Sequence, residues 1–262
     1  GEFLKHCDPN LFGNKPWEVS LKELVSKKGY DPHEVERTII ANCVVEDIGG
    51  FLFPGATPVK RTSRFQVGYM IPALDAIEKS SVEPQFHVRH SPSQARGAQA
   101  QAQMIYYVEV SSAPYVMTFN IDIDGIGRTS MLRVEDAVDN EQRKKRIEVA
   151  LKALGMMLDT KIFGAKLSRF NPVIEYEAVF ALISKELPFT VSPPSNTNFI
   201  SDTIDRVNKY KEMTGDSVNM YIYSKSDEYL KQVEHAEGVT KATNVLGLIN
   251  SVLKAIRKEA TS

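Results

Sequence analysis

With 262 residues, 42% of them hydrophobic and 25% charged, the chain has an ordinary soluble globular composition and is long enough to bury a full core, as one elaborated domain or a domain with a large insertion. No apolar run approaches the roughly 20 residues that cross a bilayer and no signal peptide opens the chain, so a helical membrane protein is excluded and the cytoplasm is the expected compartment. The formal net charge of -1 hides a marked segregation of sign along the chain.

Residues 17–45 read as helical. Val19, Leu21, Leu24 and Val25 form one apolar stripe. Asp31, Pro32 and Glu34 then serve as N-cap, first-turn proline and capping-box partner of a second helix carrying Val35, Ile39, Ile40 and Cys43. From Gly49 to about Ala102 the periodicity dissolves into Gly and Pro punctuation, with a β-prone piece at 64–71 and a Gln/Ala run at 94–103; this reads as an irregular insertion. Residues 104–110 are β-prone, Ala113 and Pro114 make a turn, and 115–123 alternate apolar with polar, as an antiparallel hairpin packed on helices requires. Residues 139–158 form an amphipathic helix with Ile147, Ala150, Leu151, Leu154 and Leu158 on one side. A long strand at 172–183, a helix at 197–213, a short strand at 218–223 and a closing helix through Val245, Leu248, Ile249, Val252, Leu253 and Ile256 follow.

The central order, helix, strand, strand, helix, strand, predicts an α+β chain and lacks only a leading strand of the βαββαβ ferredoxin-like (RRM-like) pattern. The chain starts at Gly1 without an initiator methionine, inside what reads as a structural element, so that first strand is expected upstream of Gly1.

Three stretches carry basic residues and no acid. Residues 48–74 hold Lys60, Arg61 and Arg64; residues 84–108 hold His87, Arg89, His90 and Arg96; residues 160–174 hold Lys161, Lys166 and Arg169. A solvated surface normally intersperses both signs, so this segregation points to loops that meet an anion, with RNA the first candidate; loops that merely face solvent are the alternative. In residues 163–171 a glycine turn, Lys166, Ser168, Arg169 and Phe170 combine backbone N–H groups, phosphate-neutralising cations and a stacking aromatic. The same segment also reads as a helix C-cap at Gly164 followed by a basic strand entry. His87 and His90 beside Arg89 fit a general acid/base pair, RNA contacts without chemistry, or ordinary loop histidines. Asp122 and Asp124 lack a third ligand and read as a turn-capping or solvated pair, not a metal site. Cys7 and Cys43 read as buried thiols with neither a zinc site nor a disulfide partner, and no cofactor is expected.

The opening GEFLKH, the segment VVEDIGGFLF, the run TPVKRTSRFQVGYMIPALDAI and the stretch KIFGAKLSRFNPVIEYE together resemble the DevR-like backbone RAMP subunit family of archaeal type I-A CRISPR Cascade complexes, with the likeness extending over residues 1–194. The resemblance implies a ferredoxin-like RAMP core with large insertions, shaped like a right hand. It divides the chain into a helical core segment at 1–46, an insertion at 47–102 that lines the RNA groove and reaches a neighbour, and the rest of the core at 103–262. It places Lys5 and His6 near the RNA backbone, the Lys60, Arg61 and Arg64 stretch in the groove, and residues 164–170 at the family's glycine-containing basic loop. The implied partners are CRISPR RNA, further copies of the chain head-to-tail, other Cascade subunits and target DNA reached through guide pairing. The implied action is binding without turnover. A RAMP endoribonuclease using His87 or His90, and a monomeric housekeeping RNA-binding protein, are the competing readings.

Overall fold

The computed structural model describes residues 29–73, 82–89, 104–111, 113–160, 174–185 and 188–259, and for 82–89 and 104–111 the description is of the backbone. The helix expected over 17–28, the Gln/Ala run, Cys7, and the sequence-derived sites Lys5, His6, His90, Arg96, Lys166, Ser168, Arg169 and Phe170 lie outside these residues. The described chain is mixed α/β and divides into two compact units, Gly68–Thr118 and the remainder, whereas the sequence places an insertion over 47–102.

Helix α1 (Pro32–Asn42) starts as its sequence dictates: Asp31 is the N-cap, its Oδ1 accepts the His33 N–H at 2.9 Å, and Pro32 begins the first turn. Val35, Ile39 and Ile40 are buried on one face. The helix does not run on to Val45. Cys43 is extended (φ -135°, ψ 106°) and a second helix, α2 (Val44–Gly49), begins after it. The reason is tertiary: Arg146 donates to the carbonyls of Ile40 at 2.7 Å and Ala41 at 3.0 Å, which a continuing helix would have used itself. Cys43 is therefore a half-buried joint.

The region expected to be irregular is a series of short ladders. β1 (Phe51–Phe53) pairs antiparallel with β2 (Val59–Arg61), and Leu52 faces Lys60. β3 (Phe65–Val67) pairs with β8 (Phe119–Ile121), β4 (Ile71–Pro72) with β7 (Tyr115–Val116), and β5 (Val82–Arg89) with β6 (Met104–Ser111). Residues 104–110 and 115–123 thus do not form a hairpin with one another, which corrects the expectation. Each returns along an earlier partner, and Ala113 and Pro114 continue that path: the Ala73 N–H donates to the Pro114 carbonyl at 2.9 Å. A proline has no N–H for a ladder, so it interrupts the strand where the sequence suggested a reversal.

In the larger unit, α3 (Asn140–Thr160) buries Ile147, Leu151, Leu154 and Leu158. It packs on α6 (Val245–Glu259), which buries Val245, Leu248, Ile249, Val252 and Leu253. A Cβ on Gly155 would sit 3.3 Å from Ile249 Cγ2, so the helices cross closely there. A three-stranded sheet runs in the order β11 (Val239–Lys241), β10 (Val218–Ser224), β9 (Ala178–Ser184), with β10 antiparallel to β9 and parallel to β11. Helix α4 (Phe199–Thr214) lays Phe199, Ile200, Ile204 and Val207 against Val218, Met220 and Ile222 of β10. β9 begins at Ala178, later than the expected 172, because its ladder ends where β10 ends, at the pair Ser224 and Ala178. The five-residue helix α5 (Asp227–Lys231) and the three-residue β11 are too short for any periodicity to announce. Among the described residues no helix is long and apolar enough to cross a membrane.

One ion pair links the two packed helices. Glu148 of α3 accepts from Arg257 of α6 and from Lys152 one turn on, and these hydrogen bonds, Arg257 first, hold its carboxyl down at about 2 against an ordinary 4.5. A depressed carboxylate contributes stability that is complete above its unfolded value and is lost as pH falls toward the folded one. Glu148→Gln is expected to lower the urea midpoint at pH 7 by an amount equivalent to at most ~1 kcal/mol, since the pair is partly exposed. That difference from the parent should shrink as the pH is taken from about 4.5 to 2; a gap that stays constant over this range would remove Glu148 from the pairing.

Candidate nucleic-acid interface

Two carboxylates without exposed surface organise the region that carries the first basic stretch. Asp47 of α2 accepts from Arg61 Nη2, from Arg146 Nη1 at 2.8 Å and from the Gly127 N–H at 2.9 Å, while its carbonyl accepts from Arg61 Nε at 2.9 Å. Glu36 of α1 accepts the N–H groups of Ser130 at 2.9 Å and Met131 at 3.1 Å and lies 3.7 Å from Arg61 Nη1. Arg61 completes its own set on the carbonyls of Arg128 at 2.7 Å and Gly125 at 2.9 Å. Burial draws the Arg61 guanidinium below its ordinary value, and Asp47 opposes that shift. Gly127 sits at φ 76°, and a Cβ there would meet Val138 Cγ2 at 2.6 Å, so glycine is what lets this N–H reach Asp47.

The loop beyond is equally tied. Buried His33 Nε2 lies 3.0 Å from Glu135 Oε2, a hydrogen bond that is the main cause holding the Glu135 carboxyl below its ordinary value. Thr129 Oγ1 donates to the carbonyls of Arg133 and Glu135 and accepts the Glu135 N–H. Asp122 Oδ1 accepts the Gly125 N–H at 3.0 Å while Oδ2 pairs with Arg64 at 2.8 Å. Asp124 pairs with Arg143 at 2.8 Å and Arg128 at 3.0 Å, and its carboxyl is held below the ordinary value, chiefly by the Arg143 hydrogen bond. Asp122 and Asp124 are therefore arginine partners, with Asp122 also capping the turn, and each spends its charge on a guanidinium.

Of the sequence-derived contacts, Lys60, Arg61 and Arg64 fall close together on the larger unit, and they divide sharply. Lys60 is exposed on β2 while Val59 and Arg61 on either side are buried, the two-residue alternation of a strand. Arg61 is thus corrected from RNA contact to internal tie: its side chain has no surface on which to meet a phosphate. Arg64 leaves 13% of its side chain exposed beside Asp122. His87 and Arg89 lie in β5 of the smaller unit, opposite Tyr106 and Met104. Sequence reasoning missed Glu36, Asp47 and Arg146. A signal existed for Asp47, which stands seven residues after Ile40 and four after Cys43, on the stripe where an apolar residue was due. Among the described residues, these polar groups close on one another and fix loops in place, an arrangement suited to presenting a surface.

The family model described as CRISPR-associated negative auto-regulator DevR/Csa2 matches residues 10–204. The aCascade subunit Cas7/Csa2 2 of Saccharolobus solfataricus is 36% identical over 237 residues, covering 88% of this chain and 70% of its own length. Cas7/Csa2 1 of the same organism is 38% identical over 184 residues, covering 70% of this chain and 55% of its own length. A chain from a solved CRISPR RNA-guided surveillance complex, caught before nicking, shares the fold with a TM-score of 0.54 at 10% identity, over 90% of this chain and 63% of that one.

The division between Lys60 and Arg61 is directly measurable. Arg61→Ala takes from buried Asp47 one of its two arginines and from buried Glu36 its nearest guanidinium, and is expected to cost ~3–5 kcal/mol of unfolding free energy in urea titrations. Lys60→Ala, one residue away, should stay within ~0.5 kcal/mol of the parent. Equal stability of the two variants would show that Arg61 is not an internal tie.

Proposed function

The chain belongs to the DevR/Csa2 family of CRISPR-associated proteins, and from that premise we propose that it is a backbone subunit of a Cascade-type surveillance complex that holds CRISPR RNA by its phosphates and polymerises along it. The observation that carries this reading is the 36% identity over 237 residues to a relative that is itself named an aCascade subunit. The three basic stretches, which hold no acid in sequence, support it, because the cations among them that are not spent on internal carboxylates attract a polyanion whatever its sequence. Within the first stretch Lys60 is the outward cation, Arg64 its half-enclosed neighbour, and Arg61 the anchor beneath them. Lys5, His6, His87, Arg89, His90, Arg96, Lys166, Ser168, Arg169 and Phe170 complete the proposed contacts.

The mechanism in this reading is positioning. Lysine, arginine and backbone N–H groups grip phosphates without reading bases, so any guide is accepted and its base edges stay free to pair with invading DNA. An RNA strand has a direction, so identical subunits along it meet head-to-tail in a heterologous contact that generates an open helix instead of a closed dimer. We read residues 1–46 and 103–262 as the ferredoxin-like RAMP core, with the 47–102 region as the part that reaches the RNA and the next subunit. Other Cascade subunits would bind the ends of such a filament.

The test is binding of unrelated single-stranded RNAs of one length over a range of salt concentrations, with electron microscopy of the protein on a long guide. Affinity should be alike for all sequences, and log K should fall linearly with log salt. Regular filaments should form only with RNA. Salt-independent binding or strong preference for one short sequence would defeat the reading. Metal-free cleavage of a repeat RNA at a single position would replace it with the endoribonuclease alternative.

A further inference from the structure

Immediately before the β4–β7 ladder lies an irregularity that the RNA-binding reading does not use. Gly68 N–H donates to the Thr118 carbonyl at 2.7 Å, and Ile71 pairs with Val116. Between these two points one strand holds Tyr69 and Met70 while the other holds only Met117, which is a β-bulge. A bulge adds one unpaired residue, increases the local twist and re-aims side chains away from the ordinary alternation. A Cβ on Gly68 would meet Thr118 Oγ1 at 2.3 Å, so a larger residue at the start of the bulge would require the Thr118 side chain to turn aside.

The side chains so displaced are large and wet. Tyr69 is 91% exposed and Met70 62%. A ring left almost entirely in water contributes nothing to a core, although burying it would have been favourable. The segment around it is chemically selective: no acidic residue occurs from 48 to 74, so a phosphodiester approaching Tyr69 along the chain meets no carboxylate from this stretch. Proteins that hold single strands regardless of sequence combine cations that track the backbone with exposed aromatics on which bases stack, since every base has a π-face.

Resting on the RNA-binding reading, we propose that Tyr69 is a stacking platform for a base of the bound single-stranded RNA, with Met70 flanking it. The stacking is sequence-tolerant and therefore compatible with phosphate-led binding, but it adds a contribution that salt does not screen.

The experiment compares the full-length chain and its Tyr69→Ala and Tyr69→Phe variants on a uridine homopolymer and on an oligonucleotide of equal length in which nucleobases are replaced by abasic riboses. Tyr69→Ala should weaken binding to the homopolymer roughly 5- to 150-fold, the loss of one stacked base, while the slope of log K against log salt stays the same. Tyr69→Phe should restore the affinity, because the ring and not the hydroxyl does the stacking. On the abasic strand the parent and Tyr69→Ala should bind alike. Thermal midpoints should coincide for all three proteins, given the exposure of the side chain. If Tyr69→Ala binds the homopolymer as tightly as the parent, or loses as much on the abasic strand, the stacking assignment fails while RNA binding stands. If the parent binds neither strand, the RNA-binding reading itself fails and takes the platform with it. A Tyr69→Ala variant with intact affinity for short RNA but no filaments on long RNA would assign the bulge to contact between copies and likewise overturn the proposal.

Discussion

The desolvation of Asp47 is the constraint on which the larger unit depends. A carboxylate with no surface is costly to bury unless every lone pair finds a donor, and here the donors come from three distant parts of the chain: Arg61 of β2, Gly127 of the following loop and Arg146 of α3. Satisfying one side chain therefore fixes a strand, a loop and a helix at once. Glu36 repeats the device on Ser130 and Met131, and the two acids with the two arginines form an electrically balanced group. Removing any one member leaves an uncompensated charge among the buried remainder, so the four residues are coupled.

The same interactions decide the secondary structure around them. Arg146 takes two carbonyls from the end of α1, and the chain bends at Cys43 into α2, which is what carries Asp47 to its partners. The bend and the ion pair sustain each other. Further out, Asp122 and Asp124 use their charge on Arg64, Arg128 and Arg143, so an acidic pair that might suggest a cation site is instead part of the scaffold. Within the first basic stretch positive charge is divided between Arg61, buried and compensated, and Lys60, which faces outward.

In the RNA-binding reading, outward lysines would meet phosphates while the buried arginines hold the loops beneath them. The proposed platform at Tyr69 would add an apolar contact that salt does not screen. Within the smaller unit the β5–β6 ladder is regular, whereas a bulge precedes the β4–β7 ladder.

Several features were legible from the sequence because they depend on neighbours in the chain. The Asp31 and Pro32 start of α1, the apolar stripes of α3, α4 and α6, the seven residues of β10 and the family likeness carried by four short segments are all local patterns, set by periodicity, capping and composition. What only the tertiary structure decided was which groups meet across long stretches of sequence. Residues 104–110 and 115–123 look like hairpin partners, yet they pair with strands further upstream, Met104 with Arg89 and Tyr115 with Pro72, because an antiparallel ladder selects its partner by register and packing and not by proximity. Lys60, Arg61 and Arg64 are alike in charge and context, and strand parity together with a carboxylate on another helix sends one of them to the interior. Composition reports how much positive charge a segment holds; only the fold, by choosing which face of a strand is buried and which acid lies beneath it, determines how much of that charge is left facing outward.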